Sequence, residues 1–175
     1  MFNSYNIKND AESLVNLVRE YENIYEGVKS PNMYTYQFHD LYLVEEAIRT
    51  KINSMADAAT AHGIHPDIYF LDVFSTIPSP EDQVTLLYII AGCGLNIATY
   101  WYKRAVLFCL QSNFENVKHK AELLYVANAT TFTHIPVPQY GVDVISSKDK
   151  KKVLNKAVDE DLKEGTKSIK VFAAE

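Results

Sequence analysis

SPEDQVTLLYIIAGCGLNIATYWYKRAVLFCL, from Ser79 to Leu110, is the stretch that decides the fold of this chain. It opens with a serine suited to the N-cap, a proline suited to the first helical position and two acids suited to the positive end of a helix dipole. Apolar residues then follow on every side of the helical projection. Because a helix that is apolar all round must be surrounded, we expect a single buried helix over Pro80–Leu110 at the centre of the fold.

Three helices are predicted before this stretch. The first covers residues 11–29, with Asp10 as its N-cap and apolar residues at alternating spacings of three and four. The second covers His39–His62, and Gly63 in the left-handed C′ position marks its end. Its predicted apolar stripe consists of Leu41, Val44, Ile48, Ile52, Met55 and Ala59. The segment Asp67–Ile77 is predicted as a short helix, although its aromatic and β-branched residues also suit a strand.

The chain after the central stretch changes its character. Ser112 and Glu115 have the spacing of a capping box, which predicts a helix over Asn113–Ala127. Two prolines one residue apart predict an extended arm over residues 130–141. A strand at 142–145, a lysine-rich helix at 147–164 and a strand at 168–172 are predicted to complete a small appendage.

These elements define the expected fold class, which is mainly α. Five or six helices surround the buried central helix and form a body over residues 1–129, while residues 130–175 form the extended arm and the small strand-helix-strand unit. The chain has 175 residues and 47% hydrophobic content. A sequence of this size and composition buries a substantial core without metals or disulfides.

Charge and cysteine content narrow the function classes. Acidic residues outnumber basic ones by 22 to 17, and only three of the basic residues are arginines, so nucleic-acid binding is not expected. The N-terminal residues 1–8 lack the features of a secretory signal. Cys93 and Cys109 fall in one predicted helix, roughly 24 Å apart, and are therefore expected to be buried free thiols in a reducing compartment such as the cytoplasm.

A membrane span is one alternative interpretation of the central stretch. Gln83–Tyr102 has no charged residue, acids precede it, and Lys103 and Arg104 follow an aromatic triplet at its end. Thr85 and Asn96 within the run, together with the amphipathic neighbouring helices, favour a helix buried in protein instead.

A metal-dependent helical enzyme or small-ligand binder is a further alternative. His62, His65 and Asp67 would place two imidazoles and a carboxylate at one helix end, but their spacing matches no zinc motif. A second cluster would combine acids and a histidine of two paired helices, namely Glu45, Glu46, Glu115, His119 and Glu122. Di-iron bundles use Glu-x-x-His on two helices, whereas this chain has His-x-x-Glu once. We therefore expect no catalytic residue, no metal ligand and no cofactor.

Twelve tyrosines are the unusual feature of the composition. Tyrosine offers a large contact area with few rotatable bonds and a polar tip, and protein interfaces favour it. The leading hypothesis is thus a non-enzymatic assembly or protein-interaction subunit that self-associates or docks into a larger complex, of which a virion is one example. The expected interaction residues are Tyr34, Tyr36, Phe38, Phe132, Ile135, Val137, Tyr140, Ile169, Val171 and Phe172.

Overall fold

A computed structural model describes residues 4–28 and 35–135 of the chain, and the regular structure within these ranges is helical. This confirms the mainly α class. The predicted strands at 142–145 and 168–172, the helix at 147–164 and the arm beyond Ile135 lie outside the described residues. The helices are α1 (Ser4–Val28), α2 (Thr35–Ala61), α3 (Pro66–Thr76), α4 (Pro80–Gly92), α5 (Tyr100–Leu110), α6 (Glu115–Ala127) and α7 (Ala129–Thr133).

The prediction of one continuous helix over Pro80–Leu110 is wrong. Helix α4 ends at Gly92, and Gly94 takes a left-handed backbone conformation with φ of 73°. Helix α5 begins anew after Thr99, whose side-chain oxygen accepts a hydrogen bond from the amide of Tyr102 at 3.4 Å. The chain divides at this break into two compact units, residues 1–96 (unit 1) and residues 97–175 (unit 2).

Unit 1 contains helices α1 to α4, and its core is built from one side of each. Helix α1 packs on the other three helices, and α2 packs on α3 and α4. Asp10 of α1 pairs with Lys51 of α2, and Glu20, further along α1, lines the same groove as Asp40, which comes earlier on α2. The two helices therefore run in opposite directions and form an antiparallel hairpin. In the predicted stripe of α2, Leu41 is half-buried and the other five residues are buried. The principal core residues of unit 1 are Leu14, Val18, Val44, Ile48, Ile52, Met55, Tyr69, Val73, Val84, Leu86, Leu87 and Ile90.

Two helix ends in unit 1 form as their local sequence predicts. Gly63 has φ of 73°, and the amide of Ile64 donates to the carbonyl of Ala59 at 2.9 Å, which is the expected glycine C-cap of α2. Ser79 is the N-cap of α4, because its hydroxyl accepts from the amide of Asp82 at 3.4 Å. The predicted helix at 67–77 is also confirmed, as α3.

The start of the first helix differs from the prediction. Helix α1 begins at Ser4, so Asp10 lies inside it and is not an N-cap. Its carboxylate instead accepts hydrogen bonds from the Nζ atom of Lys51 at 2.6 Å and from the hydroxyl of Tyr69. Partners on α2 and α3 therefore take the place of the local backbone amides, and Asp10 joins three helices.

Unit 2 contains helices α5 to α7 in the part of the chain that the structure describes. Helix α6 packs on both α5 and α7. The predicted capping box does not form: α6 starts at Glu115 without a side-chain cap, and the Ser112 hydroxyl accepts instead from the amide of Phe114 at 3.2 Å. The buried residues of α5 and α6 include Tyr100, Trp101, Tyr102, Ala105, Val106, Leu107, Cys109, Leu110, Val117, Ala121, Leu124 and Tyr125.

The beginning of the predicted extended arm is helical. Ala129–Thr133 forms α7, and Phe132 within it is fully buried at 0% exposure. The ring of Phe132 lies 5.3 Å from the ring of Tyr125 and 6.0 Å from that of Tyr102, measured between centroids. Aromatic partners on α5 and α6 thus enclose Phe132, which belongs to the predicted interaction set.

A buried lysine holds the end of α7. Lys103 of α5 is only 6% exposed, and its Nζ atom donates to the carbonyl oxygens of Phe132 at 2.5 Å and Ile135 at 3.3 Å. Burial lowers the pKa of this ammonium below its ordinary value. Carbonyl groups at a helix C-terminus attract a cation, so this contact fixes α7 against α5.

We expect Lys103→Met to loosen α7, because both carbonyl groups lose their donor in a buried setting. The free energy of unfolding should fall by about 2 kcal/mol. Hydrogen exchange of the amides of residues 129–135 should accelerate at the same time. Lys118→Met on the half-buried side of α6 is the control, and an equal loss of stability in both variants would contradict a specific role for Lys103.

Candidate functional site

The apolar stripe of α1 extends beyond the core of unit 1. Leu14 and Val18 are buried, and Tyr21 and Tyr25 continue the same stripe at helical spacing, yet Tyr25 is 41% exposed. Helix α4 ends at Gly92, and Cys93 at its C-cap lies close enough to Tyr21 for the two side chains to interact electrostatically. The two tyrosine rings stack with centroids 6.0 Å apart. The distal part of α1 thus presents an aromatic pair where the core ends.

Helix α2 adds a third tyrosine to this end of the hairpin. Tyr42 is 51% exposed, and the guanidinium of Arg49 lies 5.8 Å from the centre of its ring. Arg49 also pairs with Glu46 and donates to the carbonyl of Cys93 at the end of α4. The ring of Tyr42 is therefore positioned by a side chain that is itself anchored. We call Tyr21, Tyr25 and Tyr42 the hairpin-end tyrosines.

Two of the grooves in the described part of unit 1 lie beside α1. The larger, of about 790 Å³, lies between α1 and α3. Its lining includes Asp72, whose carboxyl pKa is raised by partial desolvation. Ser75 and Thr76 also line it, and their hydroxyls donate to backbone carbonyls of α3 at 2.7 and 2.8 Å. The smaller groove, of about 260 Å³, lies between α1 and α2 near the hairpin-end tyrosines and is lined by Glu20, Ile24, Asp40, Leu43, Val44 and Ala47.

Both cysteines are buried and free, as predicted. They do not share a helix, however, because Cys93 caps α4 and Cys109 lies within α5. Burial raises the pKa of the Cys93 thiol to about 11 and that of the Cys109 thiol to about 12. Both thiols are therefore protonated at neutral pH, and a protonated buried thiol is a poor nucleophile.

The predicted histidine loop has a structural role in the observed geometry. The Nδ1 atom of His65 accepts from the amide of Asp67 at 3.1 Å and so caps α3. The Nδ1 atom of His62 lies 2.9 Å from the carbonyl oxygen of Ala58. Across residues 4–28 and 35–135, no group of three or more histidine, cysteine or acidic side chains is arranged to hold a metal ion.

The second predicted cluster is divided between the two units. Glu115, His119 and Glu122 lie on α6, where Glu115 and His119 are exposed. Glu45 and Glu46 lie on α2 of unit 1 and interact with Tyr21 and Arg49 respectively.

The structure describes only part of the predicted interaction set. Ile135 is half-buried, and its carbonyl accepts from Lys103. Tyr36 and Phe38 fall in the first turn of α2, but their side chains are not described. The members outside the described residues are Tyr34, Val137, Tyr140, Ile169, Val171 and Phe172.

The sequence-based interaction set also lacked Tyr25 and Tyr42. Helical spacing places Tyr25 in line with the buried residues Leu14 and Val18 of α1. Nothing in the sequence marks the point along α1 at which the core ends.

Within the described part of the chain, no helix has both the length and the apolar character needed to span a membrane. The uncharged run Gln83–Tyr102 is shared between two shorter helices and the segment that joins them.

Comparison with known proteins gives no relative for this chain. No protein-family model matches it, and neither a curated protein nor a solved structure shows significant similarity. The candidate site therefore depends on the geometry of the chain itself.

Proposed function

We propose that this chain is a non-enzymatic assembly subunit that binds another protein chain through the hairpin-end tyrosines. The observation that carries the proposal is the exposure of Tyr25 and Tyr42 where the core stripe of unit 1 ends. An apolar stripe that continues past its own core retains surface that a second chain can bury. Either another copy of this chain or a different protein of a larger complex would supply that chain.

Neighbouring side chains hold the tyrosine rings of this surface in place, which favours the binding of a second chain. Tyr25 stacks on Tyr21, and Arg49 anchors the ring of Tyr42, so little side-chain freedom is lost on association. Tyr34, Tyr36 and Phe38 lie between Tyr25 and Tyr42 in the sequence, and we include them in the proposed surface. Aromatic residues with restricted rotamers are enriched at the energetic centres of interfaces.

The state of the cysteines and histidines also supports a non-enzymatic role. Both thiols are protonated at neutral pH, and His65 is engaged in capping a helix. We place the subunit in a large intracellular assembly, either cellular or viral, because free buried thiols suit a reducing compartment.

We expect Tyr25→Ala combined with Tyr42→Ala to weaken association by about tenfold or more, as measured by analytical ultracentrifugation over a range of protein concentrations. Tyr5→Ala combined with Tyr88→Ala is the matched control, since it removes two other exposed tyrosines of unit 1. Equal weakening in both pairs would contradict the proposed surface. If the wild-type protein stays monomeric in ultracentrifugation and recovers no other protein in a pull-down, the proposed function as a whole would be contradicted.

A further inference from the structure

The smaller groove between α1 and α2 has a distinctive chemical division. Its apolar lining residues are Ile24, Leu43, Val44 and Ala47, and each helix adds one acid to the lining, Glu20 on α1 and Asp40 on α2. Both acids are exposed, and neither pairs with a cation in the part of the chain that the structure describes. The lining of the groove therefore combines four apolar residues with two negatively charged ones.

Lysine and arginine side chains have the complementary division. Each has an apolar stem and a cationic head, and the stem is commonly buried along apolar surface while the head meets carboxylates. A groove of about 260 Å³ is large enough for one such side chain and too small for a folded element. The size of the groove and its charge thus point to the same kind of occupant.

We propose that this groove receives a lysine or arginine side chain from a basic segment of a protein partner. The stem would lie along Ile24, Val44 and Ala47, and the head would lie between Glu20 and Asp40. This inference rests on the proposed function, because it names the chemistry of the partner that the same end of the hairpin binds.

The charge of unit 1 favours such a partner. Residues 1–96 contain thirteen acidic and five basic side chains. An excess of one sign steers oppositely charged segments toward the surface and raises their association rate. The larger groove between α1 and α3 has no such excess of negative charge, because its lining contains Lys8 and Arg19 as well as Glu12 and Asp72.

A fluorescein-labelled octalysine peptide tests the inference by anisotropy titration against the full chain. Glu20→Gln combined with Asp40→Asn should weaken peptide binding by about tenfold or more, since both carboxylates contact the cationic head. Glu12→Gln combined with Asp57→Asn removes the same total charge from exposed positions elsewhere on α1 and α2, and this control should change affinity by about twofold or less.

Three results would overturn the inference. The first is equal weakening in both pairs, which would mean that the net charge of unit 1 alone attracts the peptide. The second is the absence of octalysine binding to the wild-type chain. The third is equally tight binding of free spermidine, which would indicate a polyamine site. These results leave the association measured with the Tyr25 and Tyr42 variants unaffected, so failure here is distinguishable from failure of the proposed function.

Discussion

The free energy of unfolding is expected to fall steeply as the pH rises above 9, because both cysteine thiols are buried in the folded protein. The ordinary thiol pKa is 9.0, and burial raises it to about 11 for Cys93 and to about 12 for Cys109. At a pH between 9.0 and the raised pKa of each thiol, the unfolded chain loses the thiol proton while the folded chain retains it. Stability therefore decreases as the pH rises through this window.

The size of this effect follows from the two pKa values. At a pH near 10.5 each thiol accounts for roughly 2 kcal/mol of lost stability, so the pair removes about 4 kcal/mol relative to neutral pH. Tyr69 acts in the same direction, since burial and the neighbouring Asp10 carboxylate raise the pKa of its hydroxyl. Urea unfolding at a series of pH values measures the slope directly.

A variant without thiols separates their contribution from that of other groups. Cys93→Ala combined with Cys109→Ala should be less stable at neutral pH, because it leaves small cavities, but its stability should decline far less between pH 9 and pH 10.5. Lys103 has the opposite dependence, since its pKa is lowered and its desolvation cost disappears as it loses its proton. An unchanged slope in the double variant would show that the thiols do not cause the alkaline instability.

The second large effect is expected from Asp10→Ala. The substitution removes the acceptor of both Lys51 and Tyr69, and the Tyr69 side chain is almost wholly buried. We expect a loss of about 3 kcal/mol in the free energy of unfolding, since a buried hydroxyl and a half-buried ammonium would lack their partner. Urea denaturation at neutral pH measures the loss.

Two further variants define the contribution of this junction. Tyr69→Phe removes one donor and keeps the ring, so its cost should be about 1 kcal/mol. Asp57→Ala changes an exposed acid on α2 and should alter stability by less than about 0.5 kcal/mol. If Asp10→Ala were no more costly than Asp57→Ala, the junction between α1, α2 and α3 would have no energetic importance.

Local sequence signals predicted several helix boundaries correctly, because the interactions that set these boundaries are themselves local. Gly63 ends α2 through hydrogen bonds within a few residues, and Ser79 begins α4 through an amide three residues ahead. The stripe of α2 predicts its buried side for the same reason, since helical spacing alone determines which residues share a face.

The break between α4 and α5 could not be read from apolar content. A segment that is apolar on every side is consistent with one surrounded helix, and it is equally consistent with two helices buried in separate cores. Gly94 and Thr99 were the informative residues, the first because it adopts a positive φ and the second because it caps α5.

Distant contacts account for the remaining errors. Asp10 has a good N-cap side chain, but partners some forty and sixty positions away engage it. Phe132 follows a polar threonine pair and precedes two prolines, yet rings on α5 and α6 bury it. The composition shows that tyrosine is abundant, whereas the exposure of Tyr25 and Tyr42 follows from how the helices of unit 1 pack.

The placement of the two cysteines gives this chain a built-in set of probes. One sulfhydryl lies in each compact unit, and both are shielded from solvent. A small alkylating reagent modifies such a group only when its surroundings open transiently, so the labelling rate of each cysteine reports how often its own unit opens. Mass spectrometry of the modified peptides would then follow the opening of each half of the molecule independently, without an added dye.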